Sequence, residues 1–171
     1  VYASTKLEGE RAVLAATPDA LIARVNFYGW SAAGNRSLAE NFVHNLEAGK
    51  EMLGFTDVIF CPMNILDLSN VLVEAATLGI KGIYHMVGAQ AMSKYQFGVR
   101  LAEIFGFNPG LIKPVSVNDS GLKATRSLNL SLSVEKLQKA LGHALPEFNE
   151  GVKRFYDQYR RGYPQYIMSL T

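Results

Sequence analysis

A tyrosine and a lysine stand four positions apart at the start of the sequence, as Tyr2 and Lys6. Residues at this spacing share one face of a helix, so the phenol and the ammonium group would project into the same space. A phenol ordinarily titrates near about pH 10, and a neighbouring cation lowers its pKa by favouring the phenolate. A tyrosine tuned in this way can exchange a proton with a carbonyl or hydroxyl oxygen. The pair alone is equally compatible with two surface residues of an amphipathic helix.

The composition is that of a globular chain with little net charge. Of the 171 residues, 49% are hydrophobic and 19% are charged, which is typical of one packed domain and excludes a disordered chain. A net charge of +2 offers no electrostatic basis for binding nucleic acid or an anionic membrane surface. No apolar run approaches the roughly 20 residues that span a bilayer, and no spacing of His, Cys, Asp or Glu indicates a metal site. The single Cys61 fits a reducing compartment, so we expect a packed thiol in a cytoplasmic protein.

The elements that must position the pair alternate between helix and strand, which indicates an α/β fold. A helix is expected over residues 2–16, and a short, buried parallel strand over residues 20–25. Asn26, Phe27 and Tyr28 follow at the carboxyl end of that strand. Parallel sheets place their ligands at this edge, so these three residues are candidates for ligand contact.

Later helices carry their own start signals. Capping boxes are predicted at Ser37 with Glu40 and at Ser93 with Gln96. Asp67 is expected to cap a further helix. The remaining extended segments are expected at residues 58–60, 82–87 and 112–117, with an irregular stretch over residues 52–63 around the first of them.

Packing expectations follow from the same patterns. In the first helix, Leu7, Leu14 and Ala15 are expected to contact the core. Pro146 is expected near the first position of the last long helix, where its missing N–H costs little. Residues 161–171 are expected to form a C-terminal tail.

Several segments, taken in order, resemble one enzyme family. These are Tyr2-Ala-Ser-Thr-Lys6, ALIARVNFYGW over residues 20–30, FTDVIFCP over 55–62, GIYH over 82–85, SKYQFG over 93–98, and Arg126 with LSLS over 130–133. Together they resemble the extended short-chain dehydrogenase/reductases of the NAD-dependent epimerase/dehydratase superfamily, and within them the dTDP-4-dehydrorhamnose reductase group. The resemblance covers about residues 1–160, so it is far more specific than the Tyr/Lys pair.

The resemblance implies a two-lobed enzyme with a Rossmann lobe for the dinucleotide and a smaller α/β lobe for the substrate. Residues 1–36 would supply the last helix and strand of the Rossmann lobe. Residues 37–160 would form most of the substrate-binding lobe. The family's Gly-rich turn would precede residue 1, so the sequence is expected to be truncated at its N-terminus and inactive as a reductase by itself.

The resemblance also implies roles for individual residues. Tyr2 would donate a proton to a sugar ketone, while Lys6 would lower the pKa of Tyr2 and bind the nicotinamide ribose. Asn26 and Phe27 would border the cofactor, which is NAD or NADP. The sugar nucleotide would be bound by a set of polar and aromatic residues, namely Asn26, Tyr28, Asn41 and Arg126. Arg126 suits the diphosphate, because a guanidinium matches phosphate geometry.

Alternatives remain at this stage. The implied reaction is reduction of the 4-keto group of a dTDP-linked deoxysugar, but an epimerase or dehydratase of the same superfamily would share Tyr2 and Lys6. A non-catalytic regulatory or binding subunit on the same fold is a further alternative. The expected partner is a nucleotide-sugar, without nucleic acid or membrane. An exposed apolar strand face beside Leu21 and Ile22 predicts a tendency to form a homodimer.

Overall fold

The computed structural model describes residues 2–119, 121 and 127–170, with the backbone alone described at Tyr2. The α-helices of these residues are α1 (Tyr2–Ala16), α2 (Leu38–Glu47), α3 (Ile65–Thr77), α4 (Lys94–Phe105), α5 (Glu135–Leu141), α6 (Phe148–Arg160) and α7 (Tyr163–Met168). The strands are β1 (Leu21–Val25), β2 (Phe27–Tyr28), β3 (Met52–Phe55), β4 (Ile59–Phe60), β5 (Met63–Asn64), β6 (Gly82–Met86), β7 (Met92–Ser93) and β8 (Ile112–Val115). None of the described helices is both long and apolar enough to cross a membrane.

The strands pair two by two, and most pairs are parallel. β1 lies parallel to β6, with Leu21 opposite Gly82 and Val25 opposite Met86. β2 pairs with β5 and β3 with β8 in parallel, whereas β4 and β7 are antiparallel. The predicted α/β class is therefore confirmed, and the carboxyl ends of β1 and β6 meet at one edge.

The two predicted capping boxes are confirmed. The Ser37 hydroxyl accepts from the Glu40 N–H at 3.1 Å, and the Glu40 carboxylate accepts from the Ser37 N–H at 2.8 Å. Ser93 and Gln96 make the same reciprocal pair at the start of α4. Both helices begin where the sequence signal places them, because the orphan N–H groups of the first turn are satisfied locally.

The start of α3 differs from the prediction. Asn64, not Asp67, caps the helix, since its side-chain oxygen accepts from the Leu66 N–H at 2.9 Å. Asp67 lies in the first turn and is 6% exposed, and its carboxylate accepts two hydrogen bonds of 2.6 Å from the Arg154 guanidinium. A partner 87 residues away in sequence therefore decides the role of Asp67.

Two hydrophobic clusters form the core. The first, between α2, α4 and α6, is rich in aromatic rings and centres on Phe97 and Phe155, both fully buried. The second lies between α3, α5 and β6. It includes Cys61, which is 2% exposed, so the predicted packed thiol is confirmed.

Other expectations are corrected by the structure. In α1, Leu7 and Ala15 are exposed and Leu14 is half-buried, so two of the three expected core contacts are wrong. Residues 52–55, taken as irregular, form β3, and the expected tail contains α7. Pro146 lies before Glu147, the N-cap of α6, and so outside that helix.

Candidate active site at the carboxyl edge of β1

A bidentate ion pair ties α1 to β1. The Arg24 guanidinium donates to both carboxylate oxygens of Glu10, at 2.8 Å from Nε and 2.7 Å from Nη2. These hydrogen bonds and the Arg24 charge lower the pKa of Glu10, and the Glu10 carboxylate raises the pKa of Arg24. The pair therefore keeps its charges over the physiological range and fixes how the helix lies against the strand.

This contact sets the direction of α1. Residues 17–20 make a tight turn, so the C-terminus of the helix and the start of the strand are adjacent. From that turn, Glu10 lies about 9 Å back along the helix axis and Arg24 about 10 Å forward along the strand. The two side chains can meet only if α1 and β1 run in opposite directions, so the start of α1 lies towards the carboxyl end of β1.

The same rise per residue places the residues that lie beyond the ion pair. Along α1, the backbone of Lys6 lies about 6 Å and that of Tyr2 about 12 Å past Glu10. Along the chain, Phe27 lies about 10 Å past Arg24. The helical positions of Tyr2 and Lys6 are thus brought towards the edge that carries Asn26 and Phe27, and the role of these four residues in one site stays a prediction.

The two residues after β1 are placed differently. The carbonyl oxygen of Asn26 accepts from the Met63 N–H at 3.0 Å, which joins β1 to the β2–β5 pair. Phe27 leaves 52% of its surface exposed, a large fraction for an aromatic side chain beside a packed core. Phe27 can therefore offer a flat apolar surface to a ligand.

A cavity of about 310 Å³ opens beside Phe27. It lies between the residues after β1, the 31–37 loop and the first residues of α2 and α3. Its lining consists of Phe27, Gly29, Trp30, Ser31, Arg36, Ser37, Leu38 and Ile65. An aromatic ring, hydroxyl groups and a guanidinium are combined here, and such a set suits a sugar linked to a phosphate.

A larger cavity of about 450 Å³ is also lined by Trp30, which contributes to both cavities. It is bounded by the ends of α2 and α6 and by α7, and it includes His44, Glu47, Tyr159 and Arg160. None of its lining residues belongs to the edge at Asn26 and Phe27. We therefore place the candidate site in the smaller cavity.

Tyr28 does not fit its predicted contact with substrate. It is 2% exposed, and its ring packs edge-on against Phe97 and Phe155. Burial raises the pKa of Tyr28, so its hydroxyl stays protonated. Because side chains alternate in direction along an extended segment, Phe27 turns outward and Tyr28 inward.

Asn41 and Arg126 are the other residues predicted to bind the substrate. Asn41, which the resemblance assigns to the sugar nucleotide, is exposed on α2, and its side-chain and backbone carbonyl oxygens accept hydrogen bonds from Asn45. The buried face of α2 is formed by its neighbours Glu40 and Phe42. Arg126 lies outside the described residues, so its predicted contact with the diphosphate stays a prediction.

Arg36 and Trp30 were not predicted as site residues. Arg36 precedes the N-cap Ser37 in a stretch that the sequence marks only as loop. Its position just before a helix N-terminus was the available signal, because such positions favour anions. Across the described residues, no cluster of three or more His, Cys, Asp and Glu side chains could hold a metal ion.

Residues 1–161 match the family model described as RmlD substrate binding domain. Among curated proteins, a probable low-salt glycan biosynthesis reductase, Agl14, of Haloferax volcanii is 29% identical over 153 residues, covering 87% of this chain and 51% of the relative. A dTDP-4-dehydrorhamnose reductase of Sinorhizobium fredii is 28% identical over 170 residues, covering 90% and 55%. Methionine adenosyltransferase 2 subunit beta of Xenopus laevis is 28% identical over 165 residues, covering 90% and 48%. The chain thus spans about half the length of these relatives.

Solved structures show the same fold. A dTDP-4-dehydrorhamnose reductase of Clostridium acetobutylicum superposes with a TM-score of 0.80 at 21% identity, covering 93% of this chain and 55% of the other. The Bacillus anthracis reductase, in complex with NADP, gives 0.70 at 20% identity, covering 81% and 48%. A dTDP-glucose 4,6-dehydratase of Streptomyces venezuelae with NAD bound gives 0.67 at 22% identity, covering 92% and 50%. Both NAD and NADP therefore occur as bound cofactors among these neighbours.

Proposed function

Because the chain belongs to the family of RmlD substrate-binding domains, we propose that it carries the sugar-nucleotide pocket and the proton-donating pair of an NAD(P)-dependent reductase. The proposed reaction is reduction of the 4-keto group of a dTDP-linked deoxysugar. The observation that carries this proposal is the Glu10–Arg24 ion pair, which brings the helical positions of Tyr2 and Lys6 to the edge that carries Phe27. Tyrosine and lysine at that edge form a proton-donating pair beside a cavity suited to a sugar phosphate.

The residues of this edge fit a nicotinamide cofactor, which supplies a hydride to the keto carbon when it is bound. The exposed ring of Phe27 offers an apolar surface for a flat heterocycle. Lys6 is exposed on α1, where its ammonium can donate to a ribose hydroxyl. We place Asn26 beside the same group. The proposal covers both NAD and NADP as the cofactor.

Each protein group has a simple task in the proposed reaction. Tyr2 donates the proton that the keto oxygen takes up as the carbonyl becomes a hydroxyl. Lys6 holds a positive charge near the phenol, which stabilises the phenolate left behind. Arg36 binds the diphosphate through charge-assisted hydrogen bonds, and Phe27 and Leu38 enclose the sugar.

The test is turnover by the complete gene product, followed by the absorbance of the reduced cofactor, with a dTDP-linked 4-keto-6-deoxysugar as substrate. We expect saturable oxidation of NADH or NADPH, and we expect Tyr2→Phe to lower kcat at least about a hundredfold because the proton donor is lost. Tyr163→Phe is the control, since Tyr163 is not among the residues that line the cavity of the proposed site. Turnover that survives Tyr2→Phe unchanged would remove Tyr2 from the mechanism.

A non-catalytic subunit is the second candidate, and the similarity to the frog methionine adenosyltransferase subunit favours it. This candidate predicts no cofactor oxidation by the complete gene product. An epimerase or dehydratase is a third possibility, which predicts a cofactor retained through purification with no net oxidation. A nucleotide-sugar partner, a homodimer and a cytoplasmic location belong to the same proposal and await their own measurements.

A further inference from the structure

Glu40 is a fully buried carboxylate near the start of α2. It accepts hydrogen bonds from three backbone N–H groups: Ser31 at 2.6 Å, Arg36 at 2.9 Å and Ser37 at 2.8 Å. The Ser31 hydroxyl also lies 2.9 Å from each of its two oxygens. A capping box needs only the contact with Ser37, so the other contacts require a separate explanation.

All of these donors are neutral groups, and they come from both ends of one loop. Burying a carboxylate is costly unless hydrogen bonds replace its hydration shell. Here the 31–37 loop itself supplies that shell, and the N-terminus of α2 adds a favourable dipole. The loop therefore folds around Glu40, and its conformation depends on that carboxylate.

The same loop forms one wall of the candidate site. Ser31, Arg36 and Ser37 line the cavity beside Phe27, and each of them donates its backbone N–H to Glu40. Trp30, which precedes the loop, is held in place by a 3.1 Å hydrogen bond from its indole N–H to the Phe155 carbonyl. The Glu40 carboxylate joins Ser31 to Arg36, and a longer contact of 3.4 Å from the Arg36 N–H to the Ser31 hydroxyl also links them.

We propose that Glu40 is a positioning residue for the proposed substrate site: its buried carboxylate holds the 31–37 loop in the conformation in which Arg36 and Phe27 line one cavity. This inference rests on the proposed function, because the cavity matters only if it binds the sugar nucleotide. Glu40 does not touch the ligand. It acts through the backbone of the residues that do.

The experiment compares wild-type protein with Glu40→Gln. A carboxamide has one acceptor oxygen, and its NH₂ group would face the loop donors, so at least one of them loses its partner. Trp30 is the only tryptophan in the sequence and lines the cavity, so its fluorescence follows a titration with dTDP. Amide hydrogen exchange at Ser31, Arg36 and Ser37 reports the loop directly, and exchange at Leu101 in the core of α4 reports global stability.

We expect Glu40→Gln to accelerate exchange at the three loop amides at least about tenfold and to weaken dTDP binding by a similar factor, since a lost charged hydrogen bond is worth about that much. Exchange at Leu101 should change far less. The control is Gln96→Ala, which breaks the equivalent capping box of α4, and neither residue of that box lines the cavity. It should leave both the loop amides and dTDP binding unchanged.

The other possible outcomes separate the positioning role of Glu40 from the proposed function. If wild type binds dTDP and Glu40→Gln binds it equally well while its loop amides exchange faster, the positioning role is overturned and the proposed function stands. If wild type binds no dTDP, the proposed function fails at its substrate, and the positioning role for that substrate fails with it. Should Glu40→Gln not fold, Ser31→Ala replaces it and is measured at the Ser37 amide, because the Arg36 N–H also lies 3.4 Å from the Ser31 hydroxyl and would respond to its loss directly. Unchanged exchange there would overturn the proposal.

Discussion

Replacing Glu10 by alanine should slow the proposed reaction far more than it destabilises the protein. The substitution removes the ion pair that fixes α1 against β1, while alanine keeps the helix itself intact. The Arg24 side chain is 40% exposed, so water can solvate the guanidinium once its partner is gone. We therefore expect the free energy of unfolding to fall by no more than about 1 kcal/mol.

The catalytic effect follows from geometry. Tyr2 lies eight residues before Glu10, which is about 12 Å along a helix axis. A swing of about 5° around the former contact would displace that end of the helix by about 1 Å, and such a displacement of a reacting group can cost about a hundredfold in rate. We expect kcat to fall by about this factor in the complete gene product, whereas KM should change little because the cavity at Arg36 is untouched.

The assay measures kcat and thermal unfolding for wild type, Glu10→Ala and Glu103→Ala. The control breaks an exposed ion pair between Arg100 and Glu103 on α4, which involves neither α1 nor β1 and does not line the cavity. If Glu10→Ala keeps kcat within about twofold of wild type, the ion pair does not position the catalytic pair and the geometric argument is wrong.

Lowering the pH should remove the contribution of the Glu10–Arg24 ion pair to the stability of the fold. Because the folded-state pKa of Glu10 is lowered, the ion pair contributes stability above the ordinary glutamate pKa, and this contribution disappears as the pH falls through the lowered value. The difference in melting temperature between wild type and Glu10→Ala should therefore be largest near neutral pH and vanish in strong acid.

Three further predictions concern stability and titration. Gly29→Ala should destabilise the protein by about 1–3 kcal/mol in urea unfolding, because an added Cβ would lie 2.3 Å from Cγ2 of Ile65. Gly9→Ala, on the exposed side of α1 with no atom within 4 Å, should instead stabilise by up to about 1 kcal/mol, and equal effects of the two would contradict the packing argument. Asp67→Asn should cost about 1.5–3 kcal/mol, since the Asp67 side chain is 8% exposed and its carboxylate accepts both hydrogen bonds from Arg154, whose own side chain is 38% exposed; a loss below about 1 kcal/mol would mean that the pair is dispensable. Hydrogen bonds to the Ala144 carbonyl and to Glu74 raise the pKa of His143. In Glu74→Gln, the pKa of His143 measured by NMR titration should therefore shift towards the ordinary histidine value. The stability that His143 contributes is present below that ordinary value and is lost as the pH rises through the raised pKa.

The features that the sequence predicts well depend on neighbours within a few residues. The Ser37–Glu40 and Ser93–Gln96 boxes are complete within four residues, so their geometry follows from the local pattern. The helix of residues 2–16 is likewise bounded by Pro18, which disfavours helix at the preceding residue.

Several of the errors involve partners that are distant in sequence. Asp67 was taken as a cap because Arg154 could not be foreseen as its partner. β3 was missed because a strand of four residues, one of them Gly54, becomes recognisable only when β8 pairs with it. The contacts of Glu40 with Ser31 and Arg36 were missed for another reason, since both partners are near in sequence but only the contact with Ser37 has a sequence signature.

The site itself was half predictable. Residue types and the family resemblance name Asn26, Phe27 and Tyr28 as candidates for ligand contact, but not which of Phe27 and Tyr28 faces the cavity. That choice depends on packing against Phe97 and Phe155, which lie far along the chain. Arg36 gave no distinctive pattern, and only the fold brings it beside Phe27.

The most direct test of this account is calorimetric titration of the protein with a dTDP-linked deoxysugar. Arg36→Ala and Arg160→Ala each remove one exposed guanidinium, the first from the cavity beside Phe27 and the second from the larger cavity. The account predicts a single saturable site that Arg36→Ala weakens at least about tenfold, as expected for a lost charge-assisted contact to phosphate, and that Arg160→Ala leaves unchanged. Absence of binding, or weakening by Arg160→Ala alone, would contradict it.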